Sequence, residues 1–177
     1  MPRLIVLNGP PGAGKSTLAR RYADDHALTL NLDIDKIRAQ IGGWREDPSV
    51  AGLLAREIAA AAVSTHLASG HDVVVPQFVA RPEFLDRLER LAADARFHEV
   101  VLLPGREEAL RRFAERTQLA AERAHLEAHE MAGGPAGLAA SYDRLVEVLA
   151  NRPRAVVLVT VPGDVEATYR DFLASLG

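Results

Sequence analysis

Apolar and polar positions along the chain alternate between two rhythms. Short runs of β-branched and aliphatic residues at 3–8, 28–32, 72–75, 99–103 and 155–161 are separated by longer stretches whose apolar residues recur every three or four positions. All of these runs except 28–32 are nearly continuous in Val, Ile and Leu, as expected of strands buried on both faces. Between them, 51–68 reads as an alanine-rich helix, and 82–95 and 107–130 pair an apolar stripe with a charged face. The alternation predicts an α/β fold, a five-stranded parallel sheet flanked by helices. The stretch 131–137 (MAGGPAG) is linker-like, and fits either a hinge or tip of a mobile element or a surface loop between two helices.

The first apolar run feeds directly into Gly9-Pro10-Pro11-Gly12-Ala13-Gly14-Lys15-Ser16-Thr17, a complete G-x-x-x-x-G-K-[ST] phosphate-binding loop. Its glycines let successive backbone N–H groups turn inward onto an anion, and the helix that follows aims its positive dipole end at the same point. Lys15 adds a mobile charge at the β- and γ-phosphates of a nucleotide, and the Ser16 hydroxyl is placed to ligate Mg²⁺. The strand before it and the helix after it set the match apart from a chance Gly-rich turn.

Composition narrows the classes. A chain of 177 residues with 48% hydrophobic and 25% charged residues fits one globular domain. The net charge of -3 gives no electrostatic reason to expect a nucleic-acid partner. Zero cysteines remove disulfides, thiolate metal sites and cysteine nucleophiles together. No run of about 18 uninterrupted apolar residues occurs, and the N-terminus leads into a strand instead of a signal peptide, so the expected location is the cytoplasm, away from membranes.

A phosphate loop specifies a nucleotide and leaves the reaction open, so its neighbours must choose. Leu30-Asn31-Leu32-Asp33-Ile34-Asp35-Lys36-Ile37-Arg38 passes from a strand into a helical start, placing two carboxylates and a guanidinium where ligands bind in open α/β sheets, outside the carboxyl ends of the strands. Phosphoryl transfer needs a base or positioner for the attacking hydroxyl, a metal, and cations for the charge of the transition state. Asp33 and Asp35 are also good helix N-caps, and the residues alone leave both readings open. Arg112 and Arg116, four residues apart, share one helix face and fit either a pair closing on one anion or a solvated face with Glu108 and Glu115 as partners.

The phosphate loop together with Leu32-Asp33-Ile34-Asp35-Lys36-Ile37-Arg38 resembles the small P-loop kinases that phosphorylate non-protein hydroxyl groups. The element is similar to the L-D-x-D-x-[IV]-R of adenylylsulfate kinases, and the same place carries a catalytic aspartate in chloramphenicol phosphotransferase and in the 5′-kinase domain of phage polynucleotide kinase. The resemblance implies a single P-loop kinase domain over 1–177 with a lid at about 107–137. It further implies ATP and Mg²⁺, Asp35 as base, Arg38 as a clamp on the acceptor, Asp33 assisting the metal with Ser16, and Arg112 and Arg116 closing over the ATP phosphates. Gly9, Gly12, Ala13, Gly14, Lys15, Ser16 and Thr17 would hold the nucleotide, and Arg152, before the last strand, would stack on adenine.

One departure stands out. Many relatives end the third strand with an aspartate, whereas here Val74-Val75-Pro76-Gln77-Phe78 continues to Pro82-Glu83-Phe84, which resembles the V-P-x-x-x-x-x-P-E-[YF] pattern of tunicamycin-resistance P-loop proteins. Gln77 is then either a hydrogen-bonding contact to the acceptor or a polar residue on the way into a helix. Trp44, the only tryptophan, either walls the acceptor pocket or anchors a loop. His125 and His129 have zinc-compatible spacing but lack a further ligand cluster, and fit a solvated surface. The N-K-x-D and D-x-x-G signals of GTPases are absent, and the chain offers neither the extra helical domain nor the acidic pair of an AAA-type motor. The expected function is transfer of the γ-phosphoryl group of ATP to a small-molecule hydroxyl, an antibiotic or sugar-nucleotide-like compound by resemblance. A 5′-hydroxyl polynucleotide kinase and a non-transferring resistance protein are the alternatives.

Overall fold

In the computed structural model, which describes residues 1–119, 134–160 and 163–177 (side chains at 116–119 and 135 excepted), Leu4, Ile5, Val6 and Leu7 are wholly buried in strand β1 (Arg3–Asn8). Such burial on both faces requires strands alongside and helices above and below. Strand β3 (Val73–Pro76) runs parallel to β1 with Leu4 opposite Val73 and Leu7 opposite Pro76, and β2 (Leu30–Asn31) pairs with β3 through Leu30 and Val73. Strands β4 (Arg96–Leu102) and β5 (Val156–Leu158) pair in parallel through Val100 and Val156. The five strands form one parallel sheet in the order β2-β3-β1-β4-β5.

Seven helices are present among the described residues: α1 (Lys15–Asp25), α2 (Ile34–Ala39), α3 (Pro48–Ala68), α4 (Pro82–Leu91), α5 (Arg106–Leu119), α6 (Gly134–Ala150) and α7 (Val165–Ser175). The strands depart from the sequence pattern for local reasons. Strand β2 is two residues long instead of five because Leu28 takes a left-handed φ of 63° and the Thr29 N–H bonds back to the His26 carbonyl at 3.2 Å, a turn that no strand accommodates. Strand β4 starts earlier than the run 99–103, since the Arg96 N–H reaches the Pro2 carbonyl at 2.9 Å. The helix expected at 82–95 ends at Leu91 in a succession of turns, Ala92 onto Glu89 and Ala95 onto Ala92. Residues 120–133, with His125, His129 and much of the expected lid, lie outside the described residues.

The chain divides into two compact units, the first comprising Met1–Leu7, Ser16–Gln77 and Glu83–Glu99. Its longest helix, α3, is capped by Asp47, whose Oδ1 accepts the Val50 N–H at 3.0 Å, and starts with Pro48, whose missing N–H costs nothing there. Ala51, Ala55, Ala59, Val63 and Leu67 form its buried stripe, small residues at four-residue spacing that allow close approach, while Val50, Leu53, Leu54 and Ile58 are exposed. By length and composition this helix could cross a membrane. Arg56 and Glu57 interrupt its apolar run, however, and the two Glu57 carboxylate oxygens accept from Nη1 and Nη2 of Arg87 on α4.

At the amino ends of the strands Asp72 accepts the Arg3 N–H at 2.8 Å and the Tyr22 hydroxyl at 2.7 Å. Burial, and then the bond to Asp72, push the Tyr22 phenol up to about 12. His98 lies in the same region with its Nε2 buried and unbonded, and burial, followed by Arg3 and Arg96, lowers its pKa against the opposing pull of Asp72. The folded chain therefore binds fewer protons than the unfolded chain just below the ordinary histidine value of 6.5. The His98 contribution to stability is fully present above that value and falls as the pH drops towards the lower folded value. Urea titrations at pH 7.5 and 5.5 are expected to show a loss at the lower pH that His98→Asn reduces, and an identical loss in that variant would refute the assignment.

The second unit comprises Asn8–Lys15, Phe78–Pro82 and Val100–Gly177. Its core gathers Val100, Val101, Leu102, Phe113, Leu138, Leu145 and Phe172. The root of α5 is tied to α6 twice. Arg106 forks onto Asp143 at 2.8 and 3.0 Å, and the buried Tyr142 hydroxyl donates to the Pro104 carbonyl at 2.9 Å. Asp164 caps α7, accepting the Ala167 N–H at 2.9 Å.

Candidate active site

The loop from Gly9 to Lys15 follows the carboxyl end of β1, and its shape depends on glycine at three positions. Gly9, Gly12 and Gly14 have φ of 138°, 83° and 94°, all in the region open to glycine and strained for other residues. At Gly9 the exclusion is also steric, since a Cβ would lie 2.3 Å from the Leu102 carbonyl oxygen. Ala13 is buried, and its N–H bonds the Pro10 carbonyl at 3.2 Å. The Lys15 ammonium reaches back to the Gly9 and Pro10 carbonyls at 2.8 and 3.0 Å. Helix α1 starts at Lys15 with no acidic residue in its first turn, which leaves its N-terminal N–H groups and dipole to an external anion. Ser16 and Thr17 occupy that first turn, exposed.

Helix α5 meets the loop within the same unit. A Cβ on Gly12 would stand 3.4 Å from the Arg112 Cβ, so the helix backbone at Arg112 lies against the loop. Arg112 Nε donates to Glu108 at 2.6 Å, and its Nη2 is buried with no protein partner. Glu108 also accepts from Arg111 at 2.7 and 2.8 Å, and the two guanidinium groups, Arg112 first, hold its carboxyl below the usual range. A buried guanidinium N–H without an acceptor costs free energy that a phosphate oxygen would offset. Arg116 belongs to α5, but its side chain lies outside the described residues. Arg152 lies in the turn joining α6 to β5, its N–H on the Leu149 carbonyl.

In the first unit, α2 starts where β2 ends. Asp33 is its N-cap and accepts the Asp35 N–H at 3.1 Å, with Lys36 Nζ 4.0 Å away. Asp35 caps nothing, so its carboxylate is available for other work. Its side chain is 56% exposed, with Oδ1 3.2 Å from Arg38 Nη2 and Oδ2 accepting from Gln77 Nε2 at 3.3 Å. Gln77 follows β3 and continues its ladder through a 3.0 Å bond to the Leu7 carbonyl. Pro76 is tolerated because β2 pairs with β3 only at Val73 and Val74, leaving no ladder bond for the missing N–H to lose. Trp44 is buried, with the Arg38 and Arg45 guanidinium groups over its ring at 5.2 and 4.4 Å. Thus Asp35, Arg38, Gln77 and Trp44 form one connected cluster.

Among the described residues no group of three or more His, Asp and Glu could hold a metal ion. Mg²⁺ needs no such group, because it usually binds one or two protein oxygens together with substrate phosphates and water. Ser16 and Asp33 are the residues that would supply those oxygens. The open glycine cradle, the Lys15 ammonium and the orphaned Arg112 Nη2 likewise suit a polyphosphate.

Asn8 has a structural role that the sequence pattern does not reveal, because it reads there only as the last residue of a strand. It is fully buried, its Nδ2 donates to the Val79 carbonyl at 2.7 Å, and its Oδ1 accepts the Val79 and Gly9 N–H groups at 2.9 and 2.7 Å. One amide thus clips the start of the phosphate loop to the segment after β3. Asn8→Ala would strand three buried backbone groups, for an expected loss of about 2–4 kcal/mol. That should appear as a fall of roughly 5–10 °C in Tm. An unchanged melting curve would show that water replaces the clip.

A protein-family model described as AAA domain matches residues 4–134. No curated protein matches the sequence. Solved structures of similar fold include a kinase-like protein of Chloroflexus aurantiacus J-10-fl, 21% identical with a TM-score of 0.66 over 99% of this chain and 96% of that one. The tunicamycin resistance protein of Deinococcus radiodurans is 16% identical, TM-score 0.64, over 100% and 96%. A gluconokinase from Sinorhizobium meliloti 1021 is 20% identical, TM-score 0.64, over 99% and 91%. At these identities the likeness establishes a shared P-loop kinase fold.

Proposed function

We infer that this chain, which belongs to the family described as AAA domain, is an ATP- and Mg²⁺-dependent phosphotransferase acting on a hydroxyl of a small molecule in the cytoplasm. The observation that carries the reading is the Asp35 carboxylate. It faces solvent beyond the carboxyl end of β2, oriented by Arg38 and Gln77, in a chain whose β1 ends in a complete phosphate loop. A base aimed at an acceptor is useful to a transferase and has no task in a nucleotide switch. Mg-ATP, which the phosphate loop, Lys15 and Ser16 would hold, would supply the phosphoryl group and a cation to offset its charge.

The chain's own residues do the rest. The loop from Gly9 to Gly14 wraps the phosphates, Gly12 and Gly14 offering backbone N–H groups while Gly9 and Ala13, whose N–H groups bond Asn8 Oδ1 and the Pro10 carbonyl, hold its shape, with Lys15 as the point charge and Thr17 beside Ser16 in the first turn of α1. Arg112 and Arg116 answer the charge that spreads over the transferred group, and Arg152 stacks on the base. Asp35 takes the proton of the acceptor hydroxyl as the acceptor oxygen bonds to the γ-phosphorus and the bond from that phosphorus to the bridging oxygen of ADP breaks, releasing ADP, while Arg38, Gln77 and Trp44 shape the acceptor side and Asp33 and Ser16 would hold the metal. On this reading the whole chain works as one kinase domain with a lid at about 107–137. The acceptor is an antibiotic or sugar-nucleotide-like compound, by likeness to the tunicamycin resistance protein and to chloramphenicol phosphotransferase.

Gln77 in place of a third-strand aspartate favours one rival, a protein that retains the nucleotide and acceptor sites without transfer. Incubation with Mg-ATP and a panel of hydroxyl compounds, including a 5′-hydroxyl oligonucleotide, followed by mass spectrometry, separates the readings. A mass gain of one phosphoryl group on a small molecule supports the proposal, and gain on the oligonucleotide alone replaces it with a polynucleotide kinase. A panel with no gain, from protein that binds ATP, leaves the non-transferring rival.

A further inference from the structure

Two buried polar atoms next to Asp35 lack any hydrogen-bond partner within the protein, and they are of opposite kind. Gln77 Oε1 is an acceptor and Arg38 Nε is a donor. Their sister atoms are both engaged on the same carboxylate, Gln77 Nε2 on one Asp35 oxygen and Arg38 Nη2 on the other. An unsatisfied buried donor or acceptor is costly, and native structures leave few of them without a reason. Here the cost falls on the two residues that hold the base.

The charges on this segment are already matched inside the chain. Arg38 faces Asp35, Lys36 faces Asp33 at 4.0 Å, and Arg45 lies over the Trp44 ring. An anionic acceptor arriving here would have to compete with Asp35 for Arg38 and would meet the Asp35 charge itself. An uncharged acceptor meets neither obstacle.

We infer that Gln77 and Arg38 set the acceptor's chemistry. The acceptor is uncharged beside its reactive hydroxyl, and carries there a hydrogen-bond donor for Gln77 Oε1 (a second hydroxyl or an amide N–H) together with an oxygen for Arg38 Nε. Gln77 is also a positioning residue, fixing the face that Asp35 turns to the hydroxyl through its Nε2. This inference rests on the phosphotransferase reading above and narrows it to neutral polyols and hydroxy-amides.

The test is calorimetric binding in the presence of Mg²⁺ and a non-hydrolysable ATP analogue, using D-glucose and chloramphenicol as uncharged probes, and D-gluconate and adenosine 3′-phosphate as anionic ones. At least one uncharged probe is expected to bind roughly tenfold or more tightly than either anion. Gln77→Leu and Arg38→Lys should each weaken that probe by roughly ten- to a hundredfold while leaving affinity for the ATP analogue unchanged, a split that a general structural defect would not produce. An unfolding scan accompanies both variants, and if one fails to fold the other decides. Tighter binding of an anion, no binding of any probe, or variants that bind like wild type would overturn the inference. Transfer from Mg-ATP to the same probes is measured separately. Gln77-dependent binding without transfer sinks the phosphotransferase and leaves the inference standing, whereas transfer indifferent to Gln77 does the reverse.

Discussion

Lys15→Ala is expected to lower phosphoryl transfer by roughly 10³-fold while the protein still folds. The half-buried Lys15 bonds the Gly9 and Pro10 carbonyls, which are the loop's own oxygens, and it is not one of the fully buried side chains of the core. Those carbonyls are acceptors that water can serve, so the fold loses little. What disappears is a mobile positive charge that no neighbour replaces, because Arg112 is held on Glu108 and approaches the loop from α5 at Gly12. Single-turnover transfer and a melting curve of the same preparation check both halves of the statement. Wild-type transfer by a folded Lys15→Ala protein would remove the phosphate loop from the chemistry.

Asp35→Asn should reduce transfer by roughly 10²–10⁴-fold with almost no change in stability or ATP affinity. The structure separates the two properties that the sequence left together. Asp33, and not Asp35, caps α2, so the substitution keeps the cap intact. The asparagine oxygen still accepts from Arg38 or Gln77, and the exposure of the side chain lets water serve whatever is left. What is lost is the negative charge, with its ion pair to Arg38, one acceptor oxygen, and the ability to take a proton. A folded variant that transfers at the wild-type rate would mean that another group accepts the proton, and Asp33→Asn, which also preserves the cap, is the next variant to assay.

The sheet and the phosphate loop were legible in the sequence because each depends on a local signal. Continuous Val and Ile runs mark the buried strands β1 and β3, whereas the run at 155–161 forms only the short β5 with Val156 and Val157 exposed, and a fixed spacing of glycines marks the loop. Strand β2 was legible only in position. Its length is decided by the left-handed backbone at Leu28, a residue type that gives no warning of that conformation. The contacts that organise the site were invisible for a different reason. Asn8 to Val79 and Gln77 to Asp35 join residues 71 and 42 positions apart, and no periodicity encodes such pairs. Trp44 remained open between pocket wall and anchor because the outcome depends on where two arginines place their guanidinium groups.

The double tie between α5 and α6 has a mechanical consequence. With Arg106 clamped to Asp143 and the strand-to-helix connection clamped at Pro104 by Tyr142, α5 is built in at its root like a cantilever and not hung there on a free pivot. A load applied further along the helix is carried as bending of α5, or as joint displacement of α5 and α6. Under the proposed lid role, the stiffness of that beam would set how readily Arg112, which already lies beside Gly12, follows a phosphate bound in the loop.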